Sequence, residues 1–426
     1  MINEKGVTVI IDDVAIAPQN IKDVKIIQEI NRISSELPIS TCTIAAKNIG
    51  ELASSTTPGS TIKIYYNAAL KMTAFVTEIK KSGQDEWTIE GEDYIGILED
   101  VEWIGDEYFD DKKINAKTLL NNIFAKAGVP AVYESGIFTS SAKNVSGELG
   151  ITTCRDAALQ VCYAAGVMLD TSNSDVLKVR KQTNINAKGV TIVPERIYEA
   201  GISTEESTQI NNVGIVIYSK RPNSGLDKSV IDSTYIEGAT FGQEVEHYFT
   251  TPYRNYVLWR VNEAGEEASV PDSAYEILES GLYHVKYKMN VNTELTYFLK
   301  ANGLGDAPGT TKWYLPQPTS KSAVIDTSTL VVDNNVDAVL KRTYEALTSG
   351  GKVSCRIAYR KTKQQRTKYG TVKYGQEITA AQGDVGFELG DVLELDIPRL
   401  GKIKRILTKQ TFTLGPGILV KECEFA

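Results

Sequence analysis

The chain has 426 residues, of which 42% are apolar and 23% charged, and a formal net charge of −8. At roughly 100–200 residues per domain, this length suggests about three units and leaves room for a sizeable core. The acidic balance argues against loose wrapping of a nucleic acid, which requires a basic face.

Five cysteines (Cys42, Cys154, Cys162, Cys355 and Cys423) are odd in number and form no C-x-x-C pair. They read as buried reduced thiols rather than a secreted disulfide framework. The start, Met1 to Gly6, has no charged-then-apolar signal region. No apolar run approaches the ~18 residues of a bilayer span. The expectation is a cytoplasmic product that leaves a cell only as part of something larger.

In chain order, the first hundred residues read as short strands with period two. Val7, Val9 and Ile11 alternate with their neighbours, followed by Val24 and Ile26, Ile39 to Ile44, Thr61 to Tyr65, Phe75-Val76 and Trp87 to Ile89. Pro58-Gly59 and Ser82-Gly83 mark turns. Six or so such strands suggest a barrel or sandwich. Ala116, Leu119, Leu120, Ile123, Phe124 and Ala127 then share one helical face, with Asn115 as N-cap and Gly128 and Pro130 as the stop. A second helix begins at Thr153 with a capping box that uses Asp156 and ends at Gly166. Val167–Leu169 and Val176–Val179 read as a hairpin around the polar tip 171–175. From about 218 to 330 the chain is rich in Tyr, Val and Pro, with good strands at Tyr256–Trp259 and Tyr283–Tyr287. A third helix over 336–347 places Val336, Val339, Leu340, Thr343 and Leu347 together before Gly350-Gly351. Strands at Val353–Tyr359, Val392–Leu395, Ile406–Phe412 and Ile418–Glu424 close the chain.

The two ends resemble each other. Gly59-Ser-Thr-Ile-Lys-Ile-Tyr65 matches Gly390-Asp-Val-Leu-Glu-Leu-Asp396, and each glycine is followed 17 residues later by a second matching strand, at Val76 and at Leu407. A turn glycine follows (Gly83, Gly415), and then Trp87–Glu90 aligns with Leu419–Glu422. Ile33–Glu36 and Ile202–Glu205 give a weaker echo. Shared turn chemistry among β-meanders is one reading. A duplicated barrel, interrupted by 218–330 in its second copy, is the other, and it is the one carried forward. Three such chains would make a ring of six similar barrels, able to match a sixfold partner on one face and a threefold partner on the other.

The segment Ile33-Ser-Ser-Glu-Leu-Pro-Ile-Ser-Thr-Cys-Thr-Ile44, the closing pattern Leu389-Gly-Asp-Val … Gly401-Lys-Ile-Lys-Arg-Ile-Leu-Thr-Lys-Gln-Thr-Phe412 and the order of units are similar to those of baseplate hub proteins of contractile-tailed phages. That group includes prophage and tailocin versions from Gram-positive bacteria. The resemblance covers nearly the whole chain as architecture more than as sharp motifs. It implies a β-rich α+β multidomain fold with two similar β-barrels: a first barrel over 1–105, an α+β unit over 106–190, a split second barrel over 191–217 and 331–426, and an inserted β unit over 218–330. It also implies a homotrimer that joins a hexameric tail tube to a central spike beside other baseplate proteins. Such a protein is assembled in the host bacterium's cytoplasm and ends in a virion or tail-like particle. Type VI hub–spike proteins share the hub half, but no long β-helical spike is read before Ala426.

No chemistry-bearing constellation competes with this reading. His247 and His284 have no metal-ligand spacing, and no G-x-S-x-G elbow offers either one a nucleophile. Seven carboxylates between Glu99 and Asp111 lack the order of a calcium loop and read as a solvated linker. No phosphate-binding glycine loop lies between a strand and a helix. No catalytic, cofactor or metal residue is therefore expected, no cofactor, no sequence-specific nucleic acid and no direct membrane insertion. From Ala346 to Gln376 the chain has eight basic residues, no acidic one and three interleaved tyrosines. Arg360, Lys361, Lys363, Arg366 and Lys368 are the candidate contacts to an acidic neighbour in an assembly. The rival readings are a tail-associated cell-wall hydrolase and a carbohydrate-binding adhesin that uses the Tyr-rich 218–330 unit.

Overall fold

A computed structural model describes residues 6–31, 37–108, 113–138, 143–181, 191–192, 202–205, 210–222, 228–262, 264–315, 321–327, 330–332, 336–348, 352–360, 366–367, 370–371, 388–397, 401–415 and 418–426. The chain opens with strands β1 (Val7–Ile11), β2 (Ile21–Glu29), β3 (Thr41–Lys47), β4 (Thr61–Tyr66), β5 (Ala69–Lys81) and β6 (Glu86–Glu92). Helices α1 (Gly50–Ser55) and α2 (Tyr94–Glu99) accompany them. The strands run antiparallel in the spatial order β1-β4-β5-β6-β3-β2. Period-two alternation turns Ile62, Ile64 and Tyr66, and likewise Cys42, Ile44 and Ala46, to one core. In β2 the alternation breaks, because Ile21 and Val24 both point inward. A register shift between Ile21 and Asp23 inserts the extra residue that makes this possible. Gly91 has no room for a side chain, since a Cβ there would lie 2.8 Å from Ile62 Cδ1 and 2.9 Å from the Phe75 carbonyl oxygen.

The helical unit follows. Helix α3 (Ala116–Lys126) starts where the Asn115 side chain accepts from Lys117 N–H at 2.9 Å, and it buries Leu119, Leu120, Ile123 and Phe124. Helix α4 (Cys154–Ala165) starts at Thr153, whose hydroxyl accepts from Asp156 N–H, and ends at Gly166 in the left-handed conformation. Strands β7 (Val167–Asp170) and β8 (Leu177–Lys181) form the expected antiparallel hairpin.

After β9 (Ser203–Glu205) comes a further run of strands, over the stretch read from sequence as an inserted β unit. It contains β10 (Asn212–Pro222), β11 (Glu244–Tyr248), β12 (Tyr253–Val261), β13 (Tyr275–Ser280), β14 (His284–Met289), β15 (Thr293–Tyr314) and β16 (Ser322–Thr327). The 22-residue strand β15 pairs with β12 along one stretch and with β10 along another. Strand β10 crosses the 217/218 boundary read from sequence, with a register shift between Ile217 and Ser219, and lies between β15 and β16 in one sheet. Its alternation shows that a strand exists but carries no information about which sheet receives it.

The chain ends with α5 (Val336–Thr348), β17 (Lys352–Arg360), β18 (Val392–Ile397), β19 (Gly401–Gly415) and β20 (Ile418–Phe425). Helix α5 docks on α4: Arg342 donates to the Tyr163 and Ala164 carbonyls at 3.0 and 3.2 Å, and the Tyr163 and Thr343 hydroxyls lie 2.7 Å apart. A cation thus satisfies the carbonyl end of α4. The two ends of the chain share one sheet in the order β9-β17-β20-β19-β2-β3-β6-β5-β4-β1.

Candidate assembly interface

The likeness between the chain ends extends to individual hydrogen bonds. Gly59 and Gly390 are 331 positions apart, and the same interval separates the pairs at the open end of the first hairpin; at its tip the copies differ, because a register shift at Ile64/Tyr65 sets Tyr65 opposite Leu70 where Asp396 faces Lys402. Thr61 pairs with Phe75 and Val392 with Ile406; Ile64 pairs with Met72 and Leu395 with Ile403. Gly59 N–H donates to the Val76 carbonyl, and Gly390 N–H to that of Leu407, both at 2.8 Å. Ser60 Oγ accepts from Thr57 N–H, and Asp391 Oδ2 accepts from Glu388 N–H. The two glycines have φ of +91° and +87°, a left-handed region that disfavours other residues. Both long strands have a register shift at the matching place, Val76/Glu78 and Leu407/Lys409.

The third strand departs from the alignment read from sequence. Ile79 pairs with Ile89, whereas its counterpart Gln410 pairs with Cys423, so Cys423 and not Lys421 takes the place of Ile89. The hairpin connection explains the difference. Five residues separate the last pair Lys81/Trp87, whereas eight separate its counterpart Phe412/Lys421, whose ladder runs on to Gly415/Ile418 before a two-residue connection.

The two copies meet edge to edge. Strand β2 pairs with β19 from Val24/Leu414 to Glu29/Lys409. Phe412 and Leu414 thereby enter the core of the first unit. Gln28 and Gln410 face each other across the junction, both fully buried, and Gln410 Nε2 donates to Gln28 Oε1 at 2.7 Å. Gln28 Nε2 in turn donates to the Lys71 carbonyl. The ammonium groups of Lys71 and Lys421, both buried, lie 5.4 and 5.1 Å from the Phe412 ring centre. A Glu29–Lys409 ion pair of 3.2 Å closes the outer end. This buried polar seam was not anticipated from sequence. Gln28 and Gln410 look like ordinary strand polars until the pairing puts them opposite each other.

Two further contacts tie the strands of the chain ends to the helical unit. Buried Asp93 caps α2 and accepts from Ile95 N–H, Ser40 N–H and the Thr171 hydroxyl; burial pushes its carboxyl up to about 6 against the pull of those bonds. Arg180 reaches Asp170 at 2.6 Å, Glu388 at 3.2 Å and the Leu389 carbonyl at 3.1 Å, which anchors the Gly390 turn of the second copy.

Of the candidate contact residues, Arg360 ends β17 with its backbone paired to Ile418, and Arg366 starts a two-residue strand paired to Gly370-Thr371. Lys361, Lys363 and Lys368, and the side chains of Arg360 and Arg366, lie outside the described residues, as does Ile33–Glu36. The two histidines lie on neighbouring strands. His284 is buried, with Nε2 2.7 Å from Glu246 Oε1, and His247 stacks with Phe249 and Tyr287. Burial lowers the pKa of His247. Cys42, Cys154, Cys162 and Cys423 are buried thiols, and desolvation pushes Cys42 up to about 12. Among the described residues no group of three or more His, Cys, Asp or Glu is placed to hold a metal ion, and no helix is long and apolar enough to cross a membrane.

No protein-family model matches the chain, and no curated protein matches it in sequence. Its structure is similar to that of a tail protein from Neisseria meningitidis MC58, with a TM-score of 0.51 at 10% identity, covering 99% of this chain and 95% of that one. It is also similar to the 43 kDa tail protein of prophage MuSo2 from Shewanella oneidensis, with a TM-score of 0.50 at 8% identity, covering 99% and 98%. Over nearly its full length, then, this β-rich chain carries the fold of phage tail proteins.

Proposed function

We propose that the chain is the structural hub of a contractile phage-type tail baseplate, a non-enzymatic homotrimer that joins a hexameric tail tube to a central spike. The observation that carries this reading is the duplicated meander, whose first hairpin repeats its Gly59/Gly390 turn, its side-chain bond and its register shift, and which is fused edge to edge within one chain. Two like units per chain give a trimer six like positions, and that geometry adapts a sixfold tube to a threefold spike. The shared fold of the two tail proteins supports placement in a tail, reached by assembly in the bacterial host's cytoplasm with other baseplate proteins.

In this reading the basic stretch holding Arg360, Lys361, Lys363, Arg366 and Lys368 faces an acidic tube or spike surface, where complementary charge sets partner choice. Reversing Arg360, Lys361 and Lys363 to Glu should block docking while leaving the trimer folded; normal particle assembly by that variant sinks the charge argument. The hub reading itself is tested by light scattering on the purified full chain and by electron microscopy of particles. A trimer seated between tube and spike is expected, and a stable monomer absent from particles overturns it. Clearance of cell walls in a zymogram would instead support the hydrolase. Exposed Tyr235, Phe241 and Tyr248 on the inserted unit are the aromatic groups that an adhesin would use, and glycan binding that depends on them would favour that alternative.

A further inference from the structure

One row of residues crosses the junction of the two copies. Strand pairing sets Gln28 opposite Gln410, Gln410 opposite Cys423 and Cys423 opposite Cys355, on β2, β19, β20 and β17 in turn. Directly opposed residues share one face of a sheet, and Cys423, 1% exposed, marks that face as the core side. A buried thiol by itself is a small apolar filler. Two cysteines on one rung of an antiparallel ladder are different. Opposed Cα atoms lie about 4.5 or 5.5 Å apart according to the type of pair, and both values fall within the span that a disulfide bridges. The other cysteines have no such neighbour among the described residues: Cys42 faces Ile26 and Gly91, and Cys154 and Cys162 are separated by about 12 Å of rise along α4. Strand β17 is also the more easily opened of the two. Beyond it stands only the three-residue β9, paired at Lys352, Val353 and Ser354, so from Cys355 onward its outer edge has no strand beside it among the described residues.

We infer that Cys355 and Cys423 are a redox pair, thiols while the chain is assembled and a cross-strand disulfide once it meets an oxidant of the low-molecular-weight disulfide class. Opening of the β17 edge exposes Cys355, whose thiolate attacks one sulfur of the small disulfide and expels one small thiolate. The thiolate of Cys423 then attacks the Cys355 sulfur of the mixed disulfide and expels the second. Two protein thiols thus give up two protons and two electrons, and one small disulfide becomes two thiols. The bond fastens β17 to β20 on the row that continues to Gln410 and Gln28. It thereby ties the strand that leads to Arg360 and the basic stretch into the joint of the two copies. The reducing interior of a bacterium keeps the pair open, and oxidising surroundings close it. That timing rests on the tail reading; the bond itself does not.

The test starts from the purified full chain, reduced, held with oxidised glutathione, and then alkylated in denaturant. Of the five cysteines, two should become unreactive. The intact mass should fall by about 2 Da, and the peptides carrying Cys355 and Cys423 should stay linked until dithiothreitol is added. Cys355→Ser and Cys423→Ser should each give no internal link. Amide exchange in β17 should slow by on the order of tenfold or more on oxidation. Five alkylated cysteines after oxidation, a lasting glutathione adduct in place of the bond, or a link that survives in Cys355→Ser overturns the pairing. Unchanged β17 exchange in the linked chain overturns the fastening. For the timing, released particles and chain still inside cells are alkylated at once, and the pair should be linked in the first and reduced in the second. Reduced thiols in released particles overturn the timing and leave the bond standing. A chain absent from particles overturns the tail reading together with the timing, and leaves the result on the purified chain intact.

Discussion

Phe412 offers the sharpest probe of how the two copies depend on each other. It belongs to β19, a strand of the second copy, but its ring is only 1% exposed and packs in the core of the first. Truncating a buried phenylalanine costs about 3–5 kcal/mol. Phe412→Ala also removes the ring that faces the Lys71 and Lys421 ammonium groups, each contact worth roughly 0.5–1 kcal/mol. A total loss of about 4–7 kcal/mol is expected, against less than about 0.5 kcal/mol for Thr413→Ala, an exposed neighbour on the same strand. A chain of several units need not unfold in one step, so the suitable assay is native-state hydrogen exchange read by strand. Amides of β2 and β3 should lose protection together with those of β19 and β20. Loss confined to β19 and β20, or a total below about 2 kcal/mol, would refute a shared junction core.

Other perturbations test the remaining joints. Burial raises the folded pKa of Asp93 to about 6, above an unfolded value near 3.9, so the folded chain binds the extra proton between these values. Its contribution therefore favours folding most below about pH 4 and is lost as pH rises toward 6; the stability difference between wild type and Asp93→Asn should fall across that window, and a flat difference contradicts the assignment. Arg342→Ala removes two charge-assisted bonds from one guanidinium nitrogen to the end of α4 and should cost about 1.5–3 kcal/mol in urea unfolding. Gly91→Ala forces a Cβ against backbone and Ile62 and should lower stability by roughly 1–3 kcal/mol, read as a lower urea midpoint.

Much of the local structure is legible in the sequence because its causes are local. Asn115 and Thr153 cap helices because short polar side chains reach the free N–H groups of the first turn. Gly166 ends α4 because it tolerates a positive φ. Burial of Asp93 against Thr171, the Gln28–Gln410 pair and the passage of β10 into the insertion's sheet depend on partners 78, 382 and about 100 residues away along the chain, and no local pattern specifies them.

The third strand of the repeat shows where such reading stops, and why. A strand's inward and outward faces alternate with period two, so a slip of one residue inverts the face and is visible in the pattern, but a slip of two residues preserves it. The alignment of Trp87–Glu90 with Leu419–Glu422 is displaced by two residues from the pairing found, in which Ile89 corresponds to Cys423. Ile89 and Cys423 are both buried, and either alignment puts an inward residue over an inward residue. Register there is decided by the length of the hairpin connection and by Gln410 and Cys423 meeting across the ladder. Glycine spacing alone cannot fix it. The first hairpin is different: its turn carries the positive-φ glycine, the Thr57/Ser60 or Glu388/Asp391 side-chain bond and the shifted pair at a fixed distance, so a slip of either one or two residues would break a specific bond. The duplication is therefore readable where turn chemistry pins the register and blurred where only alternation remains.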